Sequence, residues 1–178
     1  MENIKLHDKE FTLYMSNIEI KDIISKIADE INCSNISAPI FMPILNGSFL
    51  FAADLIRKID ICNSEVSFIK VASYEGTHSS GNVKKIIGVN KNIQNRNIII
   101  IEDIIDTGNT INSIVNLLRN EKVSSIKIVT LLFKPDVYKK KIKINYIGKS
   151  IENKFVVGYG LDYNEIGRNL PHIYKLKE

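Results

Sequence analysis

The chain has 178 residues, of which 44% are apolar and 25% are charged, and its formal net charge is +4. These values are typical of one globular domain that is large enough to bury a core, so we predict a single domain over residues 1–178. No apolar run approaches the ~20 residues that span a bilayer, and no signal-peptide core follows Met1. We therefore expect a cytoplasmic protein with no membrane partner.

Cysteine and histidine spacing argues against a zinc site. Cys33 and Cys62 form no CxxC pair, and His7, His78 and His172 are scattered along the chain. Zinc sites need clustered thiolate or imidazole ligands, so none is expected here. The two cysteines are expected to be reduced.

The first half of the chain predicts alternating helices and strands. Ser16 can cap a helix, since isoleucines recur at helical spacing from residue 20 to residue 31. A strand over residues 36–45, a turn at 46–48 and a helix over 49–59 follow. A second strand is predicted over residues 66–74.

The next part of the chain continues this alternation. A polar segment rich in Gly and Ser covers residues 75–82, and a strand is predicted at 85–89. Another strand at 98–103, a helix at 109–120 and a strand at 125–133 follow. Such an order makes an α/β fold with a doubly wound parallel sheet, whose ligands bind at the carboxyl ends of the strands.

The last 40 residues have a different pattern. Residues 139–143, 154–159 and 172–176 are predicted as short strands with irregular links. We expect a small C-terminal hood, formed mainly by residues 135–178, over the ligand edge of the sheet. The basic run Lys139–Lys143 favours a solvated loop or a lysine-protected edge strand, and weak nucleic-acid contact is the alternative.

The most informative segment runs from Ile98 to Thr110. Its four isoleucines are typical of a strand that is buried on both faces. Glu102 and Asp103 follow at the strand end, where carboxylates are costly unless a cation or hydroxyl groups meet them. Residues 106–110, Asp-Thr-Gly-Asn-Thr, then offer N–H groups and hydroxyls at a helix N-terminus, where anions bind. The pattern predicts a substrate with sugar hydroxyls and a phosphate.

This segment resembles the phosphoribosyl diphosphate (PRPP) motif of type I phosphoribosyltransferases. Three other regions resemble the pyrophosphate loop, the mobile catalytic loop and the purine-binding hood of the same family: Leu45–Phe49; Ser73–Gly76; and Phe133–Asp136 with Lys154–Glu165 and Arg168. Together they are similar to the hypoxanthine–guanine branch of that family, from about residue 40 to residue 172. The hood motif separates this branch from the orotate, uracil and adenine enzymes.

The resemblance implies an activity, a cofactor and partners. PRPP loses pyrophosphate as N9 of hypoxanthine, or of guanine, bonds to C1 of the ribose, giving IMP or GMP. Mg²⁺ is the implied cofactor, because it binds carboxylate and phosphate oxygens. A homo-oligomer, either a dimer or a tetramer, is also implied.

The resemblance also implies roles for individual residues. Asp106 would be the general acid–base at the purine N7, and a lid over residues 74–84 would begin at Ser73 and Tyr74. The ribose and its phosphate would be bound by Glu102, Asp103, Asp106, Thr107, Gly108, Asn109 and Thr110, and pyrophosphate by Asn46, Gly47 and Arg168. The purine would be bound by Lys134, Phe155, Val156 and Asp162, and the metal by Glu102, Asp103 and Asp162. Lys134 would donate to O6 of a 6-oxopurine and would face an unwanted donor in adenine. Phe155 would stack on the ring.

One residue departs from the family pattern, and two other functions stay open. Many relatives carry Lys where this chain has Asn46, and they have a cis peptide just before that residue. A xanthine-preferring enzyme is one alternative function. The other is a regulator of the same fold that binds RNA or DNA and senses PRPP, although a sensor would need neither Asp106 nor the lid and hood.

Overall fold

The computed structural model describes residues 3–72, 84–87 and 92–177, and the larger of its two sheets forms the body of the fold. The strands of this sheet are β3 (Ile40–Leu45), β4 (Glu65–Val66), β5 (Ile69–Ala72), β6 (Lys84–Ile87), β7 (Asn97–Ile105), β8 (Ser125–Phe133) and β9 (Tyr146–Ser150). They lie in the order β6–β5–β3–β7–β8–β9, and β4 pairs with β3. Every pairing is parallel except that of β5 with β6.

Helices pack on both faces of this sheet. They are α1 (Asn17–Asn32), α2 (Phe49–Ile56) and α3 (Asn109–Asn120). Ile99 and Ile101 of β7 pack in one apolar cluster with α1 and α2, whereas Ile98 and Ile100 pack in another with α3. Because successive side chains of a strand point to opposite faces, the four isoleucines contribute to both cores. The predicted α/β fold with a doubly wound sheet is confirmed.

The second sheet is smaller and antiparallel. It consists of β1 (Asn3–Leu6), β2 (Lys9–Met15), β10 (Val156–Val157) and β11 (Ile173–Leu176), in the order β1–β2–β11–β10. The sequence predicted the two C-terminal strands but not the N-terminal hairpin, whose strand β2 pairs directly with β11. The hood described below is this four-stranded sheet together with the loop between β10 and β11.

The prediction of a strand at residues 139–143 is wrong. This segment has no regular secondary structure, and β9 lies further along the chain. The hydroxyl of Tyr138 donates to the carbonyl of Ile142 at 2.7 Å, which folds the segment into a loop. Among the helices of the described ranges, none is long and apolar enough to cross a membrane.

Candidate active site

Two carboxylates lie at the carboxyl end of β7. Glu102 is only 9% exposed, and within the described part of the chain its Oε2 has no hydrogen-bond partner. Burial, and to a smaller extent the nearby Asp103, raise the pKa of Glu102 well above its ordinary value. Burial also raises the pKa of Asp103 to about 6, although the N–H of Ile104 and the Arg168 guanidinium oppose this shift. Burial therefore outweighs the nearby positive charge at this site, and both acids bind a proton more tightly than they would in water.

The turn after β3 lies directly against Asp103. A β-carbon at Gly47 would collide with Oδ2 of Asp103, and a β-carbon at Gly160 would collide with the carbonyl oxygen of Gly47. Gly160 has φ +100°, a conformation that favours glycine. The peptide between Leu45 and Asn46 is cis, as the resemblance implied. The Asn46–Gly47 turn, which is predicted to bind pyrophosphate with Arg168, is thus in contact with the hood at Gly160.

Residues 106–110, called the phosphate loop, comprise the connection from β7 to α3 and the first two residues of α3. Gly108 precedes the helix with φ +80°, and no side chain caps the first N–H groups of α3 in the described structure. A cavity of about 90 Å³ is lined by Glu102 and residues 104–111. Uncapped N–H groups and the helix dipole make this cavity suitable for an anion.

Lys134 faces the site and not the solvent. It is 7% exposed, and its Nζ lies 3.1 Å from Oδ2 of Asp106 and 3.3 Å from Oδ1 of Asn153. Its backbone N–H donates to the carbonyl of Ile105 at 3.0 Å, which ties the end of β8 to the end of β7. The predicted acid–base residue and the predicted reader of the purine therefore form an ion pair.

The hood contributes an aromatic surface and a second ion pair. Phe155 is 44% exposed, and its ring meets Tyr163 edge-on at 5.8 Å. Nη2 of Arg168 lies 2.7 Å from Oδ1 of Asp162, and Nη1 of Arg168 donates to the carbonyl of Gly160 at 3.0 Å. Arg168 therefore joins Asp162 to the backbone of Gly160 within the hood.

The structure brings most predicted site residues to one sheet edge, with some differences from the expected arrangement. In the described ranges, no three His, Cys, Asp or Glu side chains form a group that could hold a metal, so Glu102, Asp103 and Asp162 do not make a protein-only cage. Val156 is buried in β10. Ser73, Tyr74 and the rest of the expected lid up to residue 83 lie outside the described residues.

Sequence reasoning missed two contributors to the site. Asn153 accepts from Lys134, and Tyr138 packs over Gly108. The position of Asn153 two residues before Phe155 in the hood motif was an available signal for the first. No local pattern indicated the second, because that contact joins segments 30 residues apart.

Comparisons with known proteins agree with this geometry. The model of the phosphoribosyl transferase domain family matches residues 14–164. Hypoxanthine-guanine phosphoribosyltransferases of Staphylococcus aureus and Staphylococcus epidermidis are 50% and 49% identical over 135 residues, which is 75% of this chain and 75% of each relative.

Solved structures of similar proteins give the same result. A hypoxanthine phosphoribosyltransferase from Staphylococcus aureus has a TM-score of 0.86 and 41% identity, with 93% of this chain and 90% of that chain covered. Hypoxanthine phosphoribosyl transferase of Trypanosoma cruzi has a TM-score of 0.85 and 30% identity, with 98% of this chain and 95% of that chain covered.

Proposed function

The chain belongs to the phosphoribosyl transferase family, and we propose that it transfers the 5-phosphoribosyl group of PRPP to N9 of hypoxanthine and guanine. The bond from ribose C1 to the pyrophosphate oxygen breaks, a bond from C1 to N9 forms, and IMP or GMP and pyrophosphate leave. The observation that carries this proposal is the ion pair of Lys134 and Asp106 beside the uncapped N-terminus of α3.

The phosphate end of PRPP would occupy the phosphate loop. N–H groups of the first turn of α3 and the hydroxyls of Thr107 and Thr110 are donors for the 5-phosphate. Asn46 and Gly47 would bind the pyrophosphate through backbone groups, and Arg168 would add its planar fork of donors. Since Arg168 is paired with Asp162, we infer that the substrate replaces or shares this contact.

The ribose would lie over the two carboxylates of β7. The unpartnered Oε2 of Glu102 is a buried acceptor, and a sugar hydroxyl would satisfy it. Asp103 follows Glu102 and lies against Gly47, so we infer that it would face both the ribose and the pyrophosphate. Developing positive charge on the ribose in the transition state would be stabilised by these acids in their ionised form.

We also propose that Mg²⁺ is the cofactor, because the donor set at this edge fits it. Mg²⁺ is commonly bound by one or two carboxylates together with waters and substrate phosphates, so a cage of three protein side chains is not required. Glu102 and Asp103 would hold one ion with PRPP, and Asp162 would hold a second ion. The metal would supply charge neutralisation for the leaving pyrophosphate.

The purine would bind between Lys134 and the hood. Lys134 donates to O6 of a 6-oxopurine, Asp106 exchanges a proton with N7, and Phe155 presents a half-exposed ring for stacking. Backbone carbonyls near Val156 and Asp162 would accept from the amine of guanine. Xanthine has a 6-oxo group as well, so it is the second candidate base.

Three further properties are part of the proposal. The parallel sheet and the hood act as one catalytic domain, with hood residues from both the region 135–178 and the N-terminal hairpin. The protein forms a dimer or a tetramer, which light scattering at micromolar concentration would test against a 20 kDa monomer. A cytoplasmic location is supported by Cys33 and Cys62, which are both free and exposed.

The experiment is a pyrophosphate-release assay with PRPP, Mg²⁺ and a panel of hypoxanthine, guanine, xanthine and adenine. We expect turnover with hypoxanthine and guanine, weaker turnover with xanthine and little with adenine. Preference for xanthine would support the second candidate. Absence of turnover together with PRPP-dependent binding of RNA or DNA would overturn the enzymatic proposal in favour of a regulator.

A further inference from the structure

A cationic segment lies over the phosphate loop. Residues 138–140, called the cover segment, begin the basic run identified in the sequence. The N–H of Lys139 donates to the carbonyl of Thr107 at 3.4 Å. A β-carbon at Gly108 would collide with the ring of Tyr138 and would lie 2.9 Å from Cγ of Lys140. The side chain of Lys140 therefore packs along the loop that forms the anion cavity.

The cover segment is held in place by contacts of its own. The ring of Tyr138 meets Phe133 edge-on at 5.2 Å, and the Tyr138 hydroxyl donates to the carbonyl of Ile142 at 2.7 Å. Phe133 ends β8, next to Lys134. The stem of Lys140 thus starts from a fixed position above Gly108 and not from a free surface loop.

The charge balance of the phosphate loop indicates what Lys140 does. Residues 106–110 contain no Lys or Arg, and Asp106 is their ionisable residue. A phosphate monoester carries about −1.5 to −2 charges at pH 7. Lys134 is already paired with Asp106, whereas Lys140 forms no ion pair within the described part of the chain. A lysine stem packed on the loop leaves its ammonium free to reach an anion at the loop surface.

We propose that Lys140 binds the 5-phosphate of PRPP and of the product nucleotide, and is the cation that the phosphate loop itself lacks. This inference rests on the proposed function. It assigns a role to the first part of the basic run and separates Lys140 from Lys141 and Lys143, which are exposed and line a different cavity together with Arg119 and Asn145.

The test compares three variants of the full chain, Lys140→Gln, Lys140→Arg and Lys141→Gln, by calorimetric binding of IMP and inosine and by kinetics with PRPP. For Lys140→Gln we expect the Kd for IMP and the KM for PRPP to rise about tenfold, which corresponds to ~1.4 kcal/mol. The kcat and the Kd for inosine, which lacks the phosphate, should stay within about twofold of the parent. Lys140→Arg should restore IMP binding, and Lys141→Gln should match the parent.

Salt dependence separates a charge contact from a structural effect. The tenfold difference between the parent and Lys140→Gln should shrink as NaCl is raised from low to high concentration, because mobile ions screen an exposed ion pair. Equal IMP affinity in the Lys140→Gln and Lys141→Gln variants would overturn the inference, as would equal losses for IMP and inosine. A parent protein that releases no pyrophosphate and binds no IMP would instead overturn the proposed function.

Discussion

The N-termini of α1 and α3 differ in how their first N–H groups are satisfied. At α1, the hydroxyl of Ser16 accepts the N–H of Glu19 at 3.2 Å, so the helix satisfies its own first turn. At α3, Gly108 occupies the equivalent position and no capping side chain is present in the described structure. A capped start contributes to stability, whereas an uncapped start keeps its donors for a ligand.

The strands that precede the two helices also differ, in the polarity of the residues near their ends. β2 ends in Met15, which is buried and apolar. β7 carries Glu102 and Asp103 near its end, and burial raises the pKa values of both. The connection before α1 therefore contributes to folding stability. The connection before α3 instead keeps buried polar groups, which lower the stability of the fold, at a place where a substrate would contact them.

The largest expected effect on turnover is at Asp106, in the connection between β7 and α3. Asp106→Asn should lower kcat by about 10²–10⁴, because an amide cannot exchange a proton with the purine. PRPP binding should change far less. Asp136→Asn, at an exposed acid near Lys134, is the matched control and should leave turnover unchanged. Steady-state kinetics with hypoxanthine decide the result, and near-normal turnover in Asp106→Asn would remove this residue from the mechanism.

The next largest effect is expected at Lys134, which lies at the end of β8, the strand beside β7. Lys134→Met removes a charge-assisted hydrogen bond of ~1.5–3 kcal/mol, so kcat/KM for hypoxanthine should fall by about 10–150-fold. The rate with adenine should stay flat or rise. Lys127→Met, near the other end of β8, is the control. Equal losses for both bases would mean that Lys134 does not distinguish them.

A substitution at Gly108 would test whether the uncapped N-terminus of α3 is needed for PRPP binding. Gly108→Ala forces an L side chain into φ +80° and against Tyr138. An L side chain drives the free loop out of this conformation, and returning to it when PRPP binds costs roughly 1–2 kcal/mol, so we expect the KM for PRPP to rise by about 5–30-fold. Asn116→Ala, at an exposed position of the same helix, should leave KM unchanged. An unaltered KM in Gly108→Ala would show that the loop tolerates a side chain.

Asp103 links the site to pH-dependent stability. Its pKa is about 6 in the folded protein, compared with an ordinary value of 3.8, so the folded state binds this proton more tightly. Stability of the free protein should therefore decrease as pH rises from about 4 through about 6. Asp103→Asn should raise Tm at pH 8 by about 2–4 °C, as ~1 kcal/mol does in a domain of this size, and should change Tm little at pH 4. Thermal unfolding at both pH values measures this, and a lower Tm at pH 8 would contradict it.

The smallest effect is expected at α1. Ser16→Ala should lower the free energy of unfolding by about 0.5–2 kcal/mol through loss of the cap, with kcat and KM unchanged. Ser25→Ala, on an exposed part of α1, should have a smaller effect on stability. Urea unfolding together with the transfer assay measures both properties. A change in KM for Ser16→Ala would remove the distinction between the two helix starts.

Local patterns predicted the central elements well. The isoleucine run of β7, the cap at Ser16 and the helix over residues 109–120 follow from side-chain periodicity and turn chemistry, and the structure contains all three. The N-terminal hairpin carried an alternating signal at Phe11, Leu13 and Met15 that could have indicated a strand. Its partner could not be predicted, because β2 pairs with β11 about 160 residues further along the chain.

The sequence did not predict which of the proposed site residues pair with one another. The resemblance placed Asp106, Lys134 and Arg168 near a substrate, and the structure adds that Lys134 binds Asp106 and that Arg168 binds Asp162. Such ion pairs depend on which strand ends meet at the sheet edge. Local sequence does not contain that information, and neither does it contain the contact of Tyr138 with Gly108.

The pairing of β2 with β11 has a consequence for synthesis on the ribosome. The hairpin of β1 and β2 emerges long before β11, so one edge of β2 stays without its partner until residues 173–176 have been made. An unpaired strand edge is a template for association with other chains. The nascent protein thus carries an open edge while the residues between β2 and β11 are made, and the aromatic side of the hood is completed by Tyr174 of β11.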